Sequence, residues 1–205
     1  MARPGQRPHP IGPAVPTDPP AVYPVSMAIR FFIAHGASGS AASMAGHVRG
    51  LVARGVDARA IDLPLKKAEA AVPALRAIVP DRSDAAGADG LQIAVGGQSY
   101  GGRVASLAAA EEATDYAALV LFSFPLHPPG APDRAEERTA HFAAIRCPVL
   151  FLSGESDPFA RLDLLRERVA LIRGAELVTY PRLGHTLRPV LDDALDRAAA
   201  FLLAR

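Results

Sequence analysis

Apolar positions along the chain fall into two rhythms. Short, nearly unbroken apolar runs alternate with longer stretches in which apolar residues recur at helical spacing. The first kind suits strands buried on both faces of a sheet, and the second suits helices that bury one face. Strands are expected at 28–34, 57–63, 91–96, 117–124, 148–153 and 176–180. The first expected helix carries Met44, Val48, Leu51 and Val52 and closes at Gly55. The second runs through Val72, Leu75, Ile78 and Val79, and the third runs from Tyr100 to about residue 114. A short helix is expected at 139–145, and a longer one at 158–173 shows Phe159, Leu162, Leu165, Val169 and Ile172 on one face. The last, at 188–204, aligns Val190, Leu191, Ala194, Leu195, Ala198, Phe201 and Leu202. Proline suits a first helical turn and breaks an interior one, so the second helix is expected to start near Pro73, with 66–71 as loop. Residues 81–90 read as a polar loop. Strands alternating with helices over short connections require parallel pairing and right-handed crossovers. The expected fold class is therefore α/β: a doubly wound, mostly parallel six-stranded sheet with helices on both faces.

The first 26 residues break this pattern. Eight of the chain's 19 prolines fall at positions 4, 8, 10, 13, 16, 19, 20 and 24. Such a segment buries too little apolar surface to offset its ordering entropy, so 1–26 reads as a disordered Pro-rich tail with polyproline II bias. Residues 27–205 read as one folded domain. A translation start at Met27, just ahead of the first strand, is a second reading of the tail. The spacings Pro13-x-x-Pro16 and Pro16-x-x-Pro19 arise readily by chance in so proline-rich a stretch.

Composition narrows the function. With 205 residues, 50% of them hydrophobic and 21% charged, the chain can bury one full core. Its net charge is +1, from 22 basic and 21 acidic side chains, and shows no basic surplus for nucleic acid or an anionic membrane. The only cysteine is Cys147, which excludes an intramolecular disulfide and a thiolate zinc cluster and suits a reducing cytoplasm. Cys147 precedes an expected core strand and reads as inert packing. The apolar run near 116–126 is too short to span a bilayer, and the prolines after 1–7 do not form a signal peptide's apolar region.

The most informative stretch joins the third strand to the third helix. It contains Gly97-x-Ser99-x-Gly101, in Gly97-Gln98-Ser99-Tyr100-Gly101-Gly102. A turn from strand to helix this sharp strains the backbone at the serine and leaves no room for a Cβ two residues either side. It also lifts the hydroxyl above the sheet edge, near the positive end of the following helix. Ligands of open α/β sheets bind beyond the carboxyl ends of the strands, and two further strand ends carry reactive groups. Asp157 lies in Gly154-Glu155-Ser156-Asp157-Pro158-Phe159, and His185 in Leu183-Gly184-His185. The order is Ser…Asp…His.

With His35-Gly36-Ala37 after the first strand, and Phe124-Pro125-Leu126-His127-Pro128 after the fourth, these motifs resemble a known family. The chain, from residue 28 onward, resembles small lidless α/β-hydrolases of the dienelactone-hydrolase-like group, close to the testis-expressed and nonspecific-lethal-subunit type of hydrolase domain. Residues 66–71 match loosely. Dienelactone hydrolases themselves carry a cysteine nucleophile where this chain has Ser99. The resemblance implies the α/β-hydrolase fold with no cap domain, since residues 125–147 leave little chain to build one.

Chemistry assigns the roles. A serine hydroxyl becomes a nucleophile when a base takes its proton, and a histidine near neutrality can do so and return it to the leaving group. Ser99, His185 and Asp157 are the expected catalytic residues, with Asp157 fixing the imidazole tautomer. The backbone N–H groups of Ala37 and Tyr100 are the expected oxyanion hole. The site is expected to be open, with His35, Phe124, Leu126, His127 and Phe159 as candidate substrate-binding residues and Tyr100 at its rim; His35 reads more as a brace for the oxyanion turn.

Competing readings remain. Asp157, ahead of Pro158, also has the form of a helix cap. Glu155 is a rival acid, and His127 and His141 are rival bases. Arg103, Arg182 and Arg188 read first as solvated charges and second as receivers of an anionic substrate. Neither Gly-rich turn fits G-x-G-x-x-G, and G-x-x-x-x-G-K-[ST] and H-E-x-x-H are both missing, so no cofactor or metal is expected. The function expected is a serine hydrolase of small carboxylic esters or thioesters. Alternatives are a hydrolase-fold interaction module, or a peptidase or acyltransferase on the same three residues.

Overall fold

The computed structural model describes residue 1 and residues 29–80 and 91–205. The expected tail at 1–26 and the polar loop at 81–90 lie outside the described residues. Six strands form one sheet: β1 (Ile29–Ala34), β2 (Asp57–Ile61), β3 (Gln92–Gln98), β4 (Ala118–Phe122), β5 (Val149–Gly154) and β6 (Glu176–Tyr180). Their order across the sheet is β2-β1-β3-β4-β5-β6, and every neighbouring pair is parallel. Position in the sheet explains the residue patterns. The central β4 and β5 are buried at every residue, whereas the edge strands β2 and β6 keep exposed positions.

Among the described residues six α-helices accompany the strands: α1 (Ala45–Val52), α2 (Ala68–Ile78), α3 (Tyr100–Ala109), α4 (Ala135–Thr139), α5 (Leu162–Val169) and α6 (Leu191–Leu203). One face of the sheet packs with α1 and α6 around Phe31, Ile33, Phe122 and Leu152. The other packs with α2, α3 and α5 around Val95, Leu121, Phe124, Phe142 and Phe151. Each fully buried phenylalanine contributes about 2–3 kcal/mol of apolar burial, and Phe31, Phe122, Phe124, Phe142 and Phe151 are all in that class.

Several boundaries differ from expectation. Helix α2 begins at Ala68, not near Pro73, and carries Pro73 inside it. The stripe Ala68, Ala71, Val72 and Leu75 is buried, so tertiary packing outweighs the one main-chain bond that Pro73 cannot make. The short helix expected at 139–145 lies earlier, at α4, followed by a 3-10 turn over Phe142–Ala144. Helix α5 begins at Leu162 rather than 158, because residues just before it form the turn that holds Asp157. Between β4 and β5 the chain holds only α4 and two 3-10 turns, so no cap domain covers the sheet edge there.

The register levels the strands at their carboxyl ends. Ala34 pairs with Gly97, Gln98 with Phe122, Phe122 with Leu152, and Gly154 with Tyr180. The residues that follow these ends therefore emerge along one edge: His35, Ser99, Ser123, the Asp157 turn and the His185 loop.

Candidate active site

The elbow is built as its glycines require. Ser99 has φ 50° and ψ −112°, in the region that strains an L-residue by about 1–3 kcal/mol. The neighbours hold it there: the Ser99 N–H donates to the Phe122 carbonyl (2.9 Å) and the Gly101 N–H to the His35 carbonyl (3.0 Å). A Cβ on Gly97 would sit 2.6 Å from the Ala34 oxygen and 2.7 Å from the Gly101 carbonyl carbon. One on Gly101 would sit 2.6 Å from the Ala34 carbonyl carbon and oxygen. Strand β1 and helix α3 can approach this closely only with hydrogen in both places.

Three side chains from three loops meet above the sheet edge. His185 Nε2 lies 2.8 Å from Ser99 Oγ, and His185 Nδ1 lies 2.8 Å from Asp157 Oδ2. An ionised carboxylate can only accept, so Nδ1 carries the proton and Nε2 accepts from the serine hydroxyl. The Asp157 side chain is fully buried, and its other oxygen, Oδ1, accepts the Phe159 N–H at 2.8 Å. The turn-capping reading and the histidine-orienting reading of Asp157 therefore both describe it, one oxygen each. The Phe159 ring leans on the His185 ring with centroids 4.5 Å apart, which leaves the imidazole little freedom to turn.

His35-Gly36-Ala37 is pinned from several sides. The His35 ring accepts the Leu63 N–H at Nε2 (3.1 Å), so its Nδ1–H donates to the Gly36 carbonyl (2.8 Å). The Gly39 N–H donates to the same carbonyl at 3.0 Å. Among the described residues neither the Ala37 nor the Tyr100 amide has a hydrogen-bond partner. Both residues line one cleft with Ser99, about 250 Å³ in volume.

Of the five candidate substrate-binding side chains, the structure puts Phe159 on this cleft and withholds the other four. Phe124 and Leu126 are buried in the core under the edge, in the same apolar cluster as the buried faces of α2 and α3, with the Phe124 ring against Phe142 and Phe151. His35 is buried with both ring nitrogens engaged. His127 is buried in the same way: Nδ1 bonds the Pro128 carbonyl (2.8 Å) and Nε2 accepts the Arg161 N–H (3.1 Å). Its own N–H donates to the Phe159 carbonyl, so His127 ties the loop after β4 to the turn bearing Asp157. Two histidines thus brace loops: His35 as expected for the oxyanion turn, and His127 against its expectation as a substrate contact, since its burial was not visible in an open-site reading.

The rival groups are occupied elsewhere. His141 bonds Ser106 on α3 (2.9 Å), and burial, then the nearby Arg103 charge, pushes its pKa down to about 4. Glu155 accepts the Thr179 hydroxyl at 2.8 Å on β6. Burial pushes the Cys147 thiol up to about 11. Cys147 lies on a cleft at the opposite end of the sheet, beside Ala117 and Pro148, where the strands begin.

The sequence reading gave least weight to the cations. Lys66, Arg103 and Arg138 line the Ser99 cleft. Tyr100 holds the Lys66 loop in place, its hydroxyl donating to the Pro64 carbonyl at 2.6 Å. Arg103 spans to Glu69 (2.6 Å) and to the Arg138 carbonyl (2.9 Å). Across the elbow, a second cavity of about 220 Å³ borders Gln98, Ser123 and Thr186. There Ser123 has φ 50° and a buried hydroxyl with no partner among the described residues. No group of three or more His, Cys, Asp or Glu among the described residues is placed to hold a metal ion. No helix of the described residues is long and apolar enough to cross a membrane.

Comparison with known proteins agrees with this architecture. Residues 27–201 match the family model described as an alpha/beta hydrolase domain. No curated protein matches. Among solved structures, the chain is similar to a monoacylglycerol lipase of Paleococcus ferrophilus, at 14% identity and TM-score 0.70, over 85% of this chain and 94% of that one. It is similar to a dienelactone hydrolase of Anabaena variabilis, at 20% identity and TM-score 0.63, over 88% of each chain. It is also similar to a thermophilic esterase of the planctomycete Thermogutta terrifontis, at 22% identity and TM-score 0.65, over 91% and 86%. At such identities these likenesses speak for the fold, while the family match spans nearly the whole described chain: the protein belongs to the α/β-hydrolase family.

Proposed function

We propose that the chain is a serine hydrolase that cleaves carboxylic esters or thioesters of small substrates through an acyl-enzyme on Ser99. The observation that carries this reading is the continuous hydrogen-bonded row from Ser99 Oγ through His185 to Asp157, opening on a cleft with two amides that have no partner among the described residues. Family membership supports hydrolysis in general. The esterase and lipase titles of the structural neighbours make an ester the first bond to test.

In this reading Ser99 Oγ attacks the acyl carbon while its proton passes to His185 Nε2. The carbonyl oxygen becomes an oxyanion, received by the Ala37 and Tyr100 N–H groups. Those donors are fixed before substrate arrives, so no reorganisation is spent at the transition state; one such donor is worth about 3 kcal/mol. Asp157 stabilises the imidazolium. His185 then gives the proton to the departing alcohol or thiol, and water repeats the sequence to release the acid. A reducing, cytoplasmic setting belongs to the same proposal, since Cys147 is free.

The test is turnover of short p-nitrophenyl esters and matched thioesters. Hydrolysis by the wild type is expected, with a fall of about 10⁴-fold or more in kcat on Ser99→Ala or His185→Ala. Turnover that survives Ser99→Ala would remove the proposal.

A further inference from the structure

We propose that the cleft beside Ser99 selects acyl groups bearing a second, anionic end, a carboxylate that Lys66, Arg103 and Arg138 receive. This rests on the serine-hydrolase reading above and extends it to substrate class.

The argument begins with charge. Three cations line the cleft that also holds Ser99, Ala37 and Tyr100. Among the described residues only Arg103 of the three is paired, with Glu69 at 2.6 Å. The nearby Glu137 carboxylate is engaged by Arg134 (3.0 Å), and no ion pair joins it to Arg138 among the described residues. Arg138 is half-buried, and the one hydrogen bond its guanidinium makes among the described residues is a long one, 3.3 Å, to the Pro125 carbonyl. Burial first, then the charges of Arg103 and Arg134, holds its pKa below the ordinary arginine range. Like charges gathered at a partly desolvated wall are costly unless an anion completes them. Arginine in particular offers a planar fork that fits a carboxylate. Lys66 is exposed, with its loop tied down through Tyr100, so its ammonium can swing over the opening.

Placement assigns the charge to the acyl side. The leaving group must depart toward His185, which protonates it. The cations share their cleft with the oxyanion amides, and His185 does not line it. A cleft of about 250 Å³ suits a short chain, such as a monoester of a small dicarboxylic acid.

The experiment compares p-nitrophenyl hemiglutarate with p-nitrophenyl valerate, two esters of equal acyl length that differ by the terminal carboxylate. Rates are taken above the buffer rate, for wild type, Lys66→Gln and Arg138→Gln. The wild type is expected to prefer the hemiglutarate in kcat/KM. Each variant is expected to lower that preference about tenfold, the scale of one charge-assisted hydrogen bond, and added salt should lower it further. In parallel, calorimetry follows monomethyl glutarate binding to Ser99→Ala, with and without Lys66→Gln, which is exposed and tolerates substitution. Binding that weakens with Lys66→Gln supports the anion site even where neither ester is turned over, an outcome that would count against the hydrolase reading alone. A valerate preference, or a ratio unmoved by both variants, overturns the proposal. So does inorganic phosphate displacing monomethyl glutarate at equal concentration, which would assign the cations to phosphate instead.

Discussion

Asp157 divides its carboxylate between structure and chemistry: Oδ1 closes the turn ahead of α5, and Oδ2 holds His185. An amide in its place keeps the first bond's acceptor and spoils the second, because a neutral side chain neither stabilises the imidazolium nor enforces the Nδ1–H tautomer. Asp157→Asn is therefore expected to fold normally by circular dichroism and to lose about 10⁴-fold in kcat on whichever short ester the wild type cleaves. Cys147 makes a second prediction at this scale. With its thiol pushed up to about 11, its thiolate fraction at pH 8 is about a hundredfold below that of a thiol at 9. Iodoacetamide should label it about a hundredfold more slowly in the native protein than after denaturation, as read by intact mass. Asp157 and Cys147 were both legible as sequence, one from its place after a strand and the other from the apolar run beside it. His35 was legible as a brace of its turn, but neither its partner nor the role of His127 was. Their rings are satisfied by main-chain groups of Leu63 and Arg161, distant in sequence, and no local pattern announces such a partner.

At the scale of elements, the strand–turn–helix unit from β3 to α3 is the most constrained part of the molecule. Gly97→Ala and Gly101→Ala would each drive a methyl group into main-chain atoms of β1 or α3, which cannot give way as a flexible side chain can. Each is expected to cost about 2–3 kcal/mol of stability, read by urea denaturation, and to reduce activity more than stability by tilting Ser99. Gly46→Ala is the control, because a Cβ there meets nothing within 4 Å. The turn of this unit was legible, since its glycines answer a local geometric demand, but its ends were not: β3 runs on to Gln98, and α3 stops at Ala109, short of the expected residue 114. Helix α2 was less so: Pro73 is a local signal against a helix interior, and the buried stripe that overrules it depends on α3 packing alongside. Helix α5 starts late because Asp157 and Phe159 spend their residues on the active-site turn, a requirement of the site and not of helical periodicity.

Across the whole molecule, burial of two histidines links stability to acid. His47, against the Phe122 ring, is pushed down to about 4 by burial, and His141 is pushed down to about 4 by burial and then Arg103. Their folded values lie below the unfolded value of about 6.5, so the unfolded chain binds more protons between those limits. Stability is expected to hold above about pH 6.5 and to fall as pH drops toward about 4. Denaturation midpoints at pH 7.5 and pH 5 check this, and the double variant His47→Gln, His141→Gln should flatten the dependence. Parallel pairing followed from the alternation of strands and helices, and the order Ser…Asp…His pointed to one edge; the strand order β2-β1-β3-β4-β5-β6 did not follow, because alternation alone leaves open which strands are neighbours. The cationic wall of the cleft did not follow beyond Arg103, because Lys66, Arg103 and Arg138 lie on three separate segments and are brought together by the contacts of Tyr100 with Pro64 and Lys66 and of Arg103 with Arg138. The central claim, an activated Ser99, is tested most directly with a fluorophosphonate probe, which labels an activated serine and not one merely exposed. Wild type should label, and Ser99→Ala, His185→Ala and Asp157→Ala should not. A folded wild type that stays unlabelled, or a Ser99→Ala variant that still labels, would contradict it.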